Sequence, residues 1–79
     1  MMLKKRSVTL SGHATSVALE AEFWSVLDVV AAAAGLSQAG LMKRIDEGRG
    51  RTPLASACRL LALSWVGGDR SFIEPDSTD

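Results

Sequence analysis

Residues 14–34, ATSVALEAEFWSVLDVVAAAA, decide the architecture, because an alternating segment runs without a spacer into a long apolar helix. Val17 and Leu19 alternate with Ser16, Ala18 and Glu20, the period of a half-buried strand. From Ala21 to Ala34 the spacing changes: Phe23, Val26, Leu27, Val30 and Ala34 fall on one stripe by the i, i+3, i+4, i+7 rule. Trp24, Val29 and Ala31 widen that stripe to more than half the circumference. Glu20 and Glu22 stand at the helix start, where negative charge meets the positive end of the helix dipole. A helix this apolar needs cover from a larger domain or from a second chain.

Upstream, Val8 and Leu10 alternate with Ser7, Thr9 and Ser11, so a first strand is expected over Arg6 to Ser11. Ser11-Gly12-His13-Ala14 interrupts the alternation, with Gly12 suited to a positive-φ turn. Two strands this close can pair as a hairpin, or one can pair with its copy from another chain. Downstream, Gly35 followed by Leu36 fits a Schellman helix end. Ser37 then caps a second helix with Leu41, Met42 and Ile45 on a narrow apolar face. Gly48-Arg49-Gly50-Arg51 breaks it, and Thr52-Pro53 restarts the chain as an N-cap with Pro at the first helical position. A third helix, Pro53 to about Val66, carries Leu54, Cys58, Leu61 and Trp65 on one stripe and Leu60, Ala62 and Leu63 on others. The expected division is a basic, flexible segment 1–5, a folded domain 6–68 and a flexible acidic tail 69–79 that follows Gly67-Gly68.

With 79 residues there is no larger domain to cover these helices. A monomer of this size buries only about 60 to 65% of its unfolded surface and usually needs a staple or a partner. Cys58 is the single cysteine, so no disulfide can form within the chain, and with one distant His13 it cannot build a structural zinc site. No metal and no cofactor are expected, and a second copy of the chain is the expected remedy.

Several classes are disfavoured. Lys4-Lys5-Arg6 is followed by SVTLSGHATS and not by the apolar stretch of a signal peptide, and the longest nearly apolar runs fall short of a membrane span, so a cytoplasmic location is expected. No nucleotide-binding glycine loop, HExxH or CxxC pattern occurs, and His13 has no neighbour that would make a relay, so no enzyme is expected. The net charge is zero. Yet the chain through Gly68 holds eight basic against five acidic side chains, and the tail from Asp69 one Arg against four acids. A mildly basic body is compatible with nucleic acid. Lys4-Lys5-Arg6 could meet phosphates, as could the amides opening the helix after Ser37. Cys58, Trp24 and Trp65 fall on apolar helical stripes and are expected to pack.

The order of strand, helix, Gly-x-Ser junction and helix resembles the ribbon-helix-helix superfamily, and most closely its short bacterial domain family. The matching residues are Lys5-Arg6-Ser7-Val8-Thr9-Leu10, Gly12-His13, Thr15-Ser16-Val17, Leu19-Glu20, Glu22-Phe23-Trp24, Gly35-Leu36-Ser37, Ile45-Asp46 and Leu54 with Ser56-Ala57. They span about Lys4 to Val66, and the GHATSVALEAEFW run is the most specific part. The resemblance implies a mainly α fold with a short β-ribbon or hairpin, an intertwined ribbon-helix-helix-like homodimer and, here, an additional C-terminal helix. It also implies a transcriptional regulator whose ribbon enters the major groove of double-stranded DNA, while the helix after the Gly-x-Ser junction holds a phosphate.

Carried onto this chain, the expected DNA-binding residues are Lys4, Lys5, Arg6, Thr9, Ser16, Ser37 and Gln38. The expected dimer interface is Val17, Leu19, Phe23, Leu27, Val30, Leu61 and Trp65. Where the family pattern often places Arg, this chain has Ala14, which moves the expected DNA contacts toward the first strand. The alternative is a protein-interaction dimer, an antitoxin-like or partner-binding module that keeps the fold without reading DNA.

Overall fold

The alternation on both sides of Gly12 folds as one antiparallel hairpin, β1 (Leu3–Leu10) paired with β2 (His13–Glu20). The computed structural model describes residues 2–73, and the hairpin is followed by α1 (Ala21–Ala34), α2 (Gln38–Gly48) and α3 (Leu54–Val66). Of the two pairings left open by the sequence, the strands adopt the one within the chain.

Both strands are longer than their alternation suggests. Leu3, Lys4 and Lys5, expected ahead of the fold, pair with Glu20, Leu19 and Ala18. The turn is only Ser11-Gly12, with φ of 51° and 81°, and His13 and Ala14 already belong to β2. Two consecutive positive-φ residues twist the chain in the sense that the right-handed strands require, and Gly12 adopts that geometry without a steric cost.

The register assigns the faces. Arg6 lies opposite Val17 and Val8 opposite Thr15, so these side chains share the face turned toward the helices. Ser7 lies opposite Ser16 and Thr9 opposite Ala14, on the outer face. Val17 and Leu19 are fully buried, and Val8 and Leu10 pack against the same core.

α1 enters directly from β2. Glu20 is its N-cap, but the carboxylate caps no amide and instead receives the Arg59 Nε and Nη2 donors at 3.0 and 2.9 Å. The C-terminus is the Schellman end that Gly35 suggests: Gly35 has φ of 70°, Leu36 N–H donates to the Ala31 carbonyl at 2.8 Å and Gly35 N–H to that of Ala32 at 3.1 Å. Leu27 and Val30 are fully enclosed, each such aliphatic side chain contributing about 1.5–3 kcal/mol relative to exposure.

α2 starts as expected, with Ser37 Oγ accepting from the Gly40 amide at 3.0 Å, and buries the narrow face Leu41, Met42 and Ile45. The Gly-rich break is held by Arg49, which donates to Asp46 Oδ1 at 2.7 Å and to the Thr52 carbonyl at 2.8 Å. Pro53, in extended geometry, is the N-cap residue of α3, one position later than expected; no side chain caps that end. α3 packs through small residues, with Cys58 and Ala62 fully buried, which lets it approach α1 closely.

Beyond α3 the chain turns back. Arg70 lies 3.8 Å from the Trp65 ring centroid, and Arg44, stacked on Phe72, donates to the Phe72 carbonyl at 2.6 Å. Residues 69–73, expected in a flexible tail, are thereby tied to α2 and α3, and the rest of that tail lies outside the described residues.

Leu27→Ala should cost about 2–5 kcal/mol of unfolding free energy, read from urea titration, because the enclosed site has little room to collapse. Cys58 lies 3.8 Å from Met42 Sδ, and burial pushes its thiol up to about 11. At pH 8 the native chain should therefore react with a disulfide reagent far more slowly than the urea-unfolded chain; equal rates would contradict its enclosure.

Candidate nucleic-acid interface

The outer face of the hairpin is a flat surface of short side chains. Lys5, Ser7 and Thr9 of β1 share it with Ala14, Ser16 and Ala18 of β2, and all but the half-buried Ala18 are exposed. It offers hydroxyls, which bond either donors or acceptors on base edges, and a single ammonium group. Lys5, Thr9 and Ser16, expected in the interface, are brought together here.

Arg6 takes a different position from the one expected of a groove reader. Strand parity turns it inward, where it lies over the Trp24 ring at 4.4 Å from the centroid and grips Asp28 with both terminal nitrogens, at 2.9 and 3.3 Å. Trp24 is 2% exposed and its indole N–H donates to the Lys4 carbonyl at 2.7 Å, fixing the platform. Gln38 also donates to Asp28 Oδ1, so one carboxylate on α1 joins β1 to the start of α2. The Gln38 Oε1 atom is enclosed without a hydrogen-bond partner.

This junction borders a cavity of about 330 Å³ whose lining includes Arg6, Ser7, Thr9, Trp24, Gln38 and Ala39. The first turn of α2 therefore lies beside β1 at the edge of the ribbon. Ser37 occupies the Gly40 amide, whereas the Gln38 and Ala39 amides precede the first helical acceptor and remain free of intrahelical bonds. A helix start of this kind attracts anions. Asp28 works against that attraction by neutralising Arg6 within the same junction.

The Arg6 hydrogen bond holds the Asp28 carboxyl below its ordinary pKa, with a further contribution from Gln38. Glu20 is lowered too, first by its own backbone amide and then by Arg59. Lys4, Lys5 and Lys43 are exposed, and none forms a salt bridge among the described residues. The sequence does not single out Asp28 for this site, and it places Trp24 only in packing. The signal that joins them to it is a contact spanning 22 residues, which local spacing does not carry.

The residues expected between two chains are positioned as follows. Val17, Leu19, Leu27 and Val30 are buried in the chain's own core, because the hairpin and α3 already supply the cover that a second chain was expected to bring. Phe23, Leu61 and Trp65 are half-buried against that core. Among the described residues no group of three or more His, Cys, Asp and Glu side chains gathers as a metal set, and no single helix is long and apolar enough to cross a membrane.

Comparison of the chain with protein-family models finds the ribbon-helix-helix domain, matched over residues 3–66. The match takes in the hairpin and all three helices. No curated protein matches the chain, and no solved structure does.

Because both depressed carboxyls favour the ionised, folded chain, their contribution is complete above the ordinary carboxylate values of about 4 and is lost as pH falls through the lower folded values. Thermal melts between pH 7 and pH 2 should show stability falling in that acid window, and Asp28→Asn with Glu20→Gln should flatten the fall. An unchanged acid limb would show that neither ion pair contributes.

Proposed function

Because the chain belongs to the ribbon-helix-helix domain family, we propose that it is a homodimeric DNA-binding protein acting in bacterial transcription regulation, in the cytoplasm and without catalysis. The observation that carries this reading is the juxtaposition of the exposed outer ribbon face with the start of α2. Lys5, Ser7, Thr9 and Ser16 meet the groove, and Lys4 meets the backbone beside it. The Gln38 and Ala39 amides, next to the Ser37 cap, receive a phosphate. Short hydroxyl side chains let the ribbon approach the base edges closely, so sequence preference rests on hydroxyl contacts and on groove shape.

Arg6 serves this reading as a support. Its guanidinium is committed to Asp28 and Trp24, and it orients the ribbon against α1. A second reading, a partner-binding module that does not contact DNA, is favoured by that same neutralisation, which leaves few unpaired cations beside the ribbon.

The test is fluorescence anisotropy with labelled duplex DNA in a salt series. Affinity should fall steeply between about 50 and about 200 mM salt, and Lys4→Ala with Lys5→Ala should reduce the log–log slope by about 0.9 for each phosphate no longer neutralised. Asp28→Asn, which removes a negative charge from the α2 start, should tighten binding. Absence of binding at the lowest salt would favour the partner-binding module.

A further inference from the structure

Six large hydrophobic side chains are strongly exposed among the described residues, and they are not scattered. Met2 and Leu3 begin the hairpin; the other four lie on α1 and α3: Val29 at 55%, Leu60 at 57%, Leu63 at 67% and Val66 at 69% exposure. Leu60, Leu63 and Val66 recur every third residue along α3, and Val26 and Val29 do the same on α1. Between the two helices runs an open groove of about 210 Å³, floored by Phe23 and Ala62 and bordered by Val26, Leu63 and Val66, with Glu22 as its one charged neighbour among the described residues. The last turn of α3 thus lies beside the first turn of α1.

We propose that this α1–α3 face binds a second copy of the chain in a two-fold contact, so that each protomer carries its own complete ribbon into the dimer. The inference rests on the homodimer reading above and assigns its surface. Four of the residues expected to meet a second chain are sealed inside the protomer, so a dimer requires another apolar face, and the described residues offer this one. In a two-fold contact the same patch meets itself, which places aliphatic stripe on aliphatic stripe.

Charge disfavours other occupants. Arg59, the cation nearest the face, is held by Glu20 and lies 5.7 Å from the Phe23 centroid, while Glu22 is acidic. Among the described residues, therefore, no free cation stands on the face to recruit anionic lipid or an acidic peptide. Residues 74–79, EPDSTD, contain no Leu, Ile, Val, Met or aromatic side chain with which to fill the groove.

The size also fits. A standard interface takes about 800 Å² from each partner. That is about 15% of the 5189 Å² surface, a share that a face two helices wide and about 20 Å long provides.

The experiment is light scattering after gel filtration of the full chain at micromolar concentration, with circular dichroism to report folding. The wild-type chain should have twice the 8.4 kDa of one protomer, and Leu63→Glu, at an exposed position, should have 8.4 kDa with an unchanged helical spectrum. Leu60→Lys supplies an independent variant, and if either unfolds, Leu63→Ser should still raise the dimer dissociation constant more than about tenfold, roughly the loss of 1.4 kcal/mol. Lys5→Ala, on the outer ribbon, should leave the mass at the dimer value. A wild-type dimer that persists in Leu63→Glu and Leu60→Lys overturns the face but leaves the dimer. A wild-type monomer overturns both, and DNA binding is judged separately by the salt series.

Discussion

The indole of Trp24 sets the position of the hairpin on the helices. Its N–H reaches the Lys4 carbonyl at 2.7 Å and its ring supports Arg6, so a single side chain of α1 grips β1 by backbone and by side chain. A neutral hydrogen bond of this kind is worth about 0.5–1.5 kcal/mol net, and a partly exposed cation–π contact about as much. Their larger effect is directional. With β1 held at Lys4 and Arg6, pleat alternation leaves Lys5, Ser7 and Thr9 pointing away from the core, and the outer face exists because the inner one is clamped.

The same clamp limits the electrostatics of the ribbon. Arg6 would be the strongest phosphate-binding group of β1, yet it is spent within the protomer on Asp28. Glu20 likewise occupies Arg59, and Asp46 occupies Arg49. What remains for a partner is a pair of lysines, a row of hydroxyls and a helix start, a combination that favours close fit over long-range attraction.

Much of this architecture is legible in the chain. Gly35 with Leu36 and Ser37 with Gly40 are local devices whose hydrogen bonds span at most a few residues, so their spacing alone reveals the junction between α1 and α2. The resemblance carried by GHATSVALEAEFW reveals the family, and the hairpin and three helices follow that pattern. What escapes is set by distant contacts or by parity. Charge alone sends Arg6 toward the groove, whereas its pairing opposite Val17 turns it toward Trp24. Periodicity marks Val17, Leu19, Leu27 and Val30 as apolar stripe without saying what covers them, and the cover comes from the chain itself and not from a second one. Phe72 folds back under Arg44 across 28 residues, a return that composition cannot announce.

The two-residue turn at Ser11-Gly12 has a consequence for how such chains can diverge. β2 is welded to α1 without a spacer, so β1 is the only strand free to slide. Because side chains alternate with a period of two, one added or deleted residue at the tip would exchange the whole of Lys5, Ser7 and Thr9 with Arg6, Val8 and Leu10. That would put aliphatic groups in water and hydroxyls against Trp24. Length changes in this hairpin are therefore tolerable in even steps only, and the contact surface can drift by substitution far more freely than by insertion.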